Sequence, residues 1–213
     1  MKFCVIGIGH FGYEVATTLT ENGIEVLAVD LNENRIEKIR DKVAQAICIN
    51  IIDEGSLRTI GIEEMDGVII GFGKNFADTA TITRILKQEF EHPLVIARTN
   101  SAIKADILNL VGADRVIRPE YYSAIRLADN LSSAFPSSIR YADGCAVVQL
   151  SAPAQFVNRT IADLELLEKY QVHCIGLERD QAVITAQPTS VLQEHDILLL
   201  AGKNSDLKKL ADL

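Results

Sequence analysis

The 213-residue sequence lacks several features that define large classes of protein. No hydrophobic run approaches the roughly 18 residues that a membrane-spanning helix needs, and glycines interrupt the apolar start MKFCVIGIGH too early for a signal sequence. Acidic residues outnumber basic ones, with 29 Asp and Glu against 21 Lys and Arg and a net charge of -8. We therefore expect a cytoplasmic protein that inserts into no membrane and does not have nucleic acid as its main partner.

Paired cysteines are also lacking. The four cysteines are far apart, form no Cys-x-x-Cys pair and lie in or beside β-like runs, at Cys4, Cys48, Cys145 and Cys174. This pattern is typical of small apolar core residues in a reducing compartment, and it argues against zinc sites and disulfides.

Familiar catalytic signatures are missing as well. No tyrosine is followed by a lysine four positions later, no Gly-x-Ser-x-Gly elbow occurs, and the glycine-rich loop is not followed by Lys-Ser/Thr. His92, His173 and His195 are more typical of surface or hydrogen-bonded histidines than of catalysts. The sequence therefore predicts no catalytic residue, although a small NAD-dependent oxidoreductase stays open as an alternative.

Apolar runs alternate with amphipathic stretches through the first two thirds of the chain. The runs predict strands over 3–7, 25–30, 46–50, 67–71, 94–98 and 115–117, with helices over 11–22, 33–43, 53–60, 76–90, 101–110 and 121–134. Strands without polar alternation are buried on both faces. We therefore predict an α/β fold, with a Rossmann-type doubly wound parallel sheet in residues 1–134 and a small α+β domain in residues 135–213.

The smaller domain follows FPSSIRYADG, whose Pro, Ser and Gly residues indicate a boundary. Strands are predicted over 145–150, 173–178, 182–186 and 196–202, with a terminal helix from Ser205. Thr160 and Asp163 have the spacing of a capping box and predict a helix start. The RDQ tripeptide predicts a tight hairpin between two of the strands.

The clearest chemical signal is GIGHFG, residues 7–12, between the first strand and the first helix. Gly7 permits a tight turn, Gly9 lets the backbone approach a pyrophosphate, and Gly12 lets the helix pack closely on the strand. The helix start directs backbone N–H groups at phosphate oxygens. His10 and Phe11, within the loop, are further candidate contacts. A packing turn without a ligand is the alternative.

Residues at the ends of other strands extend the candidate site, because ligands of such sheets bind beyond the carboxyl ends. Asp30 ends the second strand, where an acid accepts hydrogen bonds from ribose hydroxyls and repels a 2′-phosphate, which favours NAD or an adenine nucleotide over NADP. Asn50 ends the third strand, and Gly71 and Gly73 follow the fourth. Arg98 ends the fifth strand and either neutralises phosphate or forms a surface salt bridge.

Several segments together resemble one protein family. FCVIGIGHFGYEVATTLTENGIEVLAVDLNENRI, GFGKN, GADRVIRPE and the late EHDILLLAG are similar, in this order and over nearly the whole chain, to the cytoplasmic regulatory subunits of Ktr/Trk potassium uptake systems, which consist of two RCK domains. The resemblance implies a non-enzymatic gating protein that binds ATP, ADP or NAD(H). It also implies a homodimer that assembles into an octameric ring and acts on a membrane-embedded potassium-translocating subunit, at the inner face of the membrane.

The resemblance also implies residue roles. The nucleotide-contacting pattern of the family falls on Gly7, Gly9, Gly12, Asp30, Asn32, Asn50, Gly73 and Asn75. Glu120, in RPE, matches an acid that in some members helps hold a divalent cation near the terminal phosphates, and its alternative role is that of an acid favoured at a helix N-terminus. A nucleotide-sensing subunit of another cation transporter stays open as an alternative.

Two departures from the family pattern limit what the resemblance implies. The Ktr-type loop often has an arginine that reads the terminal phosphate where this chain has His10, which is shorter and carries no permanent charge. Discrimination of ATP from ADP is therefore not expected from the loop. Leu167 stands where relatives that bind cyclic di-AMP carry a basic residue, so that ligand is not predicted.

The apolar stripe of the 121–134 helix either joins two protomers or covers its own sheet.

Overall fold

A computed structural model of the protein describes residues 1–72, 75–132, 135, 137–141 and 144–211. The contacts within the described chain divide it into two compact units, Met1–Tyr121 and Tyr122–Leu213. The division predicted from the sequence, after residue 134, assigns the whole connecting helix to the first domain. That boundary falls beside residues 133 and 134, outside the described residues, and stays a prediction.

The first unit contains a six-stranded parallel sheet in the order β3-β2-β1-β4-β5-β6. The strands are β1 (Lys2–Ile6), β2 (Glu25–Asp30), β3 (Gln45–Cys48), β4 (Gly67–Ile70), β5 (Val95–Arg98) and β6 (Arg115–Ile117). The helices are α1 (His10–Glu21), α2 (Glu33–Ile39), α3 (Glu54–Thr59), α4 (Phe76–Gln88), α5 (Ala102–Leu110) and α6 (Pro119–Ser132), and α6 continues into the second unit.

Both faces of this sheet are buried, because successive side chains of a strand point to opposite faces. In β1, Cys4 and Ile6 belong to one buried cluster, whereas Phe3 and Val5 belong to another. Each cluster includes residues of the helices that cover its face, such as Ile82 of α4 on one side and Ile36 of α2 on the other. The predicted Rossmann-type fold class is therefore confirmed.

The strand order places the candidate site. From β1 the chain builds the sheet outward to β2 and β3, and then crosses to β4 on the other side of β1. In doubly wound sheets, ligands bind outside the carboxyl ends of the strands at the point where the order reverses. The ends of β1, β2, β4 and β5 meet at this edge, so the residues that follow them lie together.

The second unit contains a five-stranded antiparallel sheet in the order β10-β9-β11-β8-β7. Its elements are β7 (Ser137–Arg140), β8 (Cys145–Ser151), α7 (Ile161–Leu164), α8 (Leu166–Tyr170), β9 (His173–Arg179), β10 (Ala182–Ile184), β11 (Ile197–Lys203) and α9 (Asn204–Leu207). The predicted capping box is confirmed, since the Thr160 hydroxyl accepts from the backbone N–H of Asp163 and the Asp163 carboxylate accepts from that of Thr160. Asp180 and Gln181, both with positive φ, form the predicted tight hairpin.

Two features of this unit differ from the sequence analysis. β7 lies in a segment that we interpreted as a domain boundary. The strand begins with two serines, and it is an edge strand that pairs with one neighbour, β8. The helix that starts after Thr160 ends within one turn, because Glu165 adopts a left-handed conformation with φ 49° before α8 begins. Neither feature produces the hydrophobic periodicity on which a sequence prediction depends.

Candidate functional site

The glycine loop begins where β1 ends. Gly7 has φ 93°, a left-handed conformation that favours glycine, and a Cβ there would lie 2.7 Å from Cδ1 and 2.9 Å from the backbone N of Phe72. The chain then enters α1 through Gly9, the N-cap residue, which has extended backbone angles. The loop therefore forms the tight strand-to-helix turn that the pattern predicts.

Three further glycines near the end of β1, Gly9, Gly12 and Gly71, have two different environments. A Cβ on Gly12 would lie 2.0 Å from the Gly7 carbonyl oxygen, and one on Gly71 would lie 2.8 Å from the same atom. Both residues thus let backbone segments pack closely around the end of β1. A Cβ on Gly9 would meet nothing within 4 Å. Gly9 is therefore the residue of this set that faces open space, where a ligand can approach the backbone.

Asp30 connects the loop to the second strand. Its side chain is buried, with 6% of the residue exposed, and Oδ2 accepts a hydrogen bond of 2.7 Å from the backbone N–H of Ile8. Oδ1 accepts from the backbone N–H of Asn32 at 2.8 Å, and Nη1 of Arg35 lies 3.2 Å from Oδ2. The carboxylate therefore holds the glycine loop at the end of β2 and positions an arginine beside it.

A cleft of about 270 Å³ opens at this edge of the sheet. Its polar lining comes from Asp30, Arg35, Asn50, Asn75 and Asp78, and its remaining lining is mostly apolar, with Ile6, Val29, Leu31, Ile49, Ile51 and Phe72. Apolar walls with a few convergent polar groups are typical of small-molecule sites. We call it the first cleft.

A second cleft of about 610 Å³ lies at the start of α1. It is lined by Ile8, Gly9, His10, Phe11, Tyr13, Arg35, Lys38, Gly71, Phe72 and Arg98. Arg35 and Phe72 line both clefts, so the two adjoin. Three cationic side chains from two elements line a site on a chain of net charge -8, beside the backbone N–H groups that open a helix. This arrangement suits an anion.

Arg98 is held by several groups at once. Its Nη1 donates to the Gly71 carbonyl oxygen at 3.2 Å, its guanidinium lies 5.1 Å from the centre of the Phe11 ring, and its Nη2 pairs with the Glu120 carboxylate. The pKa of Glu120 is lowered, first by a hydrogen bond with its own backbone N–H at the start of α6 and then by Arg98, while burial opposes both. The salt bridge considered for Arg98 is therefore present in this structure.

The structure does not bring every candidate residue to the clefts. Asn32 is the N-cap of α2, where its side chain accepts from the backbone N–H of Arg35, and it lines neither cleft. Gly73 lies outside the described residues. Among the residues that the structure describes, no group of three or more His, Cys, Asp or Glu side chains could hold a metal ion, and Glu120 pairs with Arg98.

Sequence reasoning missed two cations of the second cleft. Arg35 and Lys38 lie three positions apart, on the same face of α2, the helix that follows Asp30. That spacing is the signal that could have found them. It did not stand out because charged residues surround both positions in ENRIEKIR and a charged helix face is usually solvated.

The fold and the clefts define a class. It is a two-domain protein with an N-terminal Rossmann-type domain, whose glycine loop borders a cleft lined by cationic side chains, and a C-terminal α+β domain. Residues 3–119 match the TrkA-N domain and residues 145–213 match the TrkA-C domain, and the chain belongs to this TrkA, or RCK, family. The family resemblance drawn from the motifs is thus confirmed, and with it the prediction of a regulatory subunit of potassium uptake that is not an enzyme.

Relatives match over nearly the full chain. The Ktr system potassium uptake protein C of Bacillus subtilis is 28% identical over 98% of this chain and 95% of its own length, and protein A of the same organism is 29% identical over 98% and 94%. Among solved structures, the GsuK channel bound to NAD has a TM-score of 0.56 at 22% identity, covering 99% of this chain and 38% of that chain. GsuK bound to ADP has a TM-score of 0.54 at 23% identity, covering 62% and 34%.

Because both GsuK structures are less than 25% identical in sequence to this chain, they show a similarity of fold alone. Within the part of the chain that the structure describes, no helix has the length and apolar character needed to cross a membrane.

Proposed function

We propose that this chain is the cytoplasmic, nucleotide-sensing gating subunit of a potassium uptake system, and that it binds an adenine nucleotide without converting it. The observation that carries the proposal is the pair of adjoining clefts with different chemistry. One has apolar walls and a buried acid, and the other has cations and a helix start. A nucleotide has the same two parts, a flat base with its ribose and a chain of phosphates.

The second cleft supports binding of the phosphates. Gly9 leaves the backbone at the start of α1 open, and helix N-terminal N–H groups attract phosphate oxygens. Arg35, Lys38 and Arg98 supply permanent positive charge around the same space, and His10 lines it as well. Arginine and lysine form charge-assisted hydrogen bonds with phosphate, which are about twice as strong as neutral ones.

The first cleft supports binding of the nucleoside. Asp30 lies at the end of β2, where a carboxylate accepts hydrogen bonds from ribose hydroxyls. A base would then lie against Ile49 and Ile51, with Asn50 and Asn75 as polar partners. A 2′-phosphate would face the Asp30 carboxylate at short range, so we expect ATP, ADP or NAD(H) rather than NADP. The GsuK structures with NAD and with ADP are consistent with both kinds of ligand on this fold.

The partner is the membrane-embedded potassium-translocating subunit of the same uptake system. Two B. subtilis relatives, each named as a potassium uptake protein of a Ktr system, support this assignment. We further propose a homodimer that assembles into an octameric ring. The helix α6 supports protomer contacts, because it has no buried residue and exposes Ile125, Leu127 and Leu131. We also propose that Glu120, once free of Arg98, helps to hold a divalent cation beside the bound phosphates when such a cation is present.

Calorimetric titration with ATP, ADP, NAD, NADH and NADPH tests the proposal. We expect saturable binding of at least one of the first four, weaker binding of NADPH, and recovery of the bound nucleotide unchanged. Turnover of NADH with a panel of carbonyl compounds would contradict the regulatory role. Light scattering tests the assembly separately, and a strict monomer at micromolar concentration would refute the ring.

A further inference from the structure

Arg98 is shared between the phosphate cleft and the helix that leaves the first unit. Its guanidinium lines the second cleft beside Gly71 and Phe11, and 20% of the side chain is exposed. Glu120, in the first turn of α6, supplies the carboxylate that neutralises it, and 57% of the Glu120 side chain is exposed. The cation best placed to receive a phosphate from the β5 side therefore already has an anionic partner.

We propose that Glu120 competes with the nucleotide phosphates for Arg98, so that a bound nucleotide displaces the carboxylate and releases the first turn of α6. This inference rests on the proposed nucleotide site and adds a regulatory element to it. A phosphate and a carboxylate compete because each forms paired hydrogen bonds with a guanidinium, and one arginine edge accommodates one of them well at a time.

Two further contacts keep Arg98 in place during such an exchange. Its Nη1 hydrogen bond to the Gly71 carbonyl oxygen and its position over the Phe11 ring do not involve Glu120. Loss of the carboxylate therefore leaves the guanidinium beside the cleft. Removing the Glu120 charge is then expected to tighten nucleotide binding, which is the opposite of the effect of removing a ligand.

The position of Glu120 gives the exchange a structural consequence. Glu120 lies immediately before the division between the two units, in the first turn of the helix that continues into the second. Coupling between two sites is reciprocal, so if Glu120 weakens nucleotide binding, the nucleotide weakens the hold of Arg98 on Glu120 to the same extent. The nucleotide signal would thus reach α6 through one ion pair.

The test compares four variants with the wild type in buffer with EDTA, so that no divalent cation bridges Glu120 to phosphate. The variants are Glu120→Gln, Arg98→Gln, the double variant, and Glu89→Gln as the control. Glu89 pairs with Arg84 on the same unit, and about half of its side chain is exposed, as for Glu120. It lines neither cleft, and its replacement by glutamine removes the same charge. The probes are ADP, and AMP as a ligand with a shorter phosphate chain.

We expect Glu120→Gln to bind ADP about fivefold more tightly than the wild type, the factor that corresponds to a partly exposed ion pair at the upper end of its usual range. Glu89→Gln should bind like the wild type, and Arg98→Gln should bind more weakly. In the Arg98→Gln background, Glu120→Gln should have no further effect, because the cation for which the two anions compete is gone. The gain should be smaller for AMP.

Hydrogen exchange of residues 119–132 gives a second readout. ADP should speed exchange at the start of α6 in the wild type and leave it unchanged in Arg98→Gln at saturating ADP. Unchanged or weaker ADP binding by folded Glu120→Gln would overturn the competition while leaving the nucleotide site intact. No binding of ADP, ATP, NAD or NADH by the wild type would instead overturn the site itself.

Discussion

Gly9 is the N-cap residue of α1 and Gly12 lies three residues later in the helix, yet an added methyl group would meet opposite surroundings at the two positions. A Cβ on Gly12 would lie 2.0 Å from the Gly7 carbonyl oxygen, a separation that real Cβ atoms essentially never show, and both atoms belong to backbone. A Cβ on Gly9 would meet nothing within 4 Å. A side chain is therefore expected to damage folding at Gly12 and nucleotide binding at Gly9.

For Gly12→Ala, α1 must move away from the end of β1, since no flexible side chain can yield. Overpacking of this kind costs about 1–3 kcal/mol, and a clash between backbone segments belongs at about 3 kcal/mol. For a unit of this size the melting temperature falls by about 4 °C per kcal/mol, so we expect a loss of about 12 °C. Gly9→Ala should lower the free energy of unfolding by only about 0.5 kcal/mol, because alanine is a poorer N-cap residue than glycine.

Thermal unfolding followed by circular dichroism measures the first effect, and calorimetry with the preferred nucleotide measures the second. Gly9→Val should keep the fold and lose at least about tenfold in nucleotide affinity, since its side chain occupies the space at the start of α1 where phosphates bind. Equal melting temperatures for Gly12→Ala and the wild type would refute the packing argument. Unchanged affinity in Gly9→Val would remove the proposed phosphate site.

Three further predictions follow from buried polar groups. Asp30→Ala should weaken nucleotide binding and also destabilise the first unit by about 2 kcal/mol in urea unfolding, because the buried N–H of Ile8 loses its charged acceptor; an unchanged stability would contradict this. His92 is 2% exposed, and burial is the main cause that lowers its pKa, so the unfolded chain takes up a proton at higher pH than the folded one. Stability should therefore fall as the pH drops below about 6.5, and His92→Leu should flatten this dependence in pH-dependent urea unfolding. Asp196 is 1% exposed, and both of its carboxylate oxygens pair with Arg179. Asp196→Ala should lower the free energy of unfolding of the second unit by about 3 kcal/mol in urea unfolding, because it leaves the Arg179 charge without its partner. A loss below about 1 kcal/mol would argue against a structural ion pair.

Much of the first unit could be predicted from the sequence because parallel strands buried on both faces produce uninterrupted apolar runs. The glycine loop could also be predicted from the sequence, since the close backbone approach at Gly12 leaves no room for a side chain. The edge strand β7 could not be predicted, because its stability comes from pairing with β8 and not from its own polar sequence. Local pattern and tertiary pairing thus account for different parts of the fold.

The candidate site divides in a similar way. Residues at or just after the ends of strands, such as Asp30 and Asn50, could be placed at one sheet edge from topology alone. Arg35 and Lys38 could not, because only the packing of α2 against the sheet decides which helix face borders the cleft. The pairing of Arg98 with Glu120 joins residues 22 positions apart, and no local pattern indicates it.

We propose that this chain senses a nucleotide and transmits the signal to potassium transport. The most direct measurement is potassium flux into vesicles that contain the membrane subunit of its own uptake system, with the wild-type chain or Gly9→Val added, in the presence and absence of the nucleotide that binds. We expect a nucleotide-dependent change of flux with the wild type and none with Gly9→Val. Flux that ignores the bound nucleotide, or responds equally with both proteins, would contradict it.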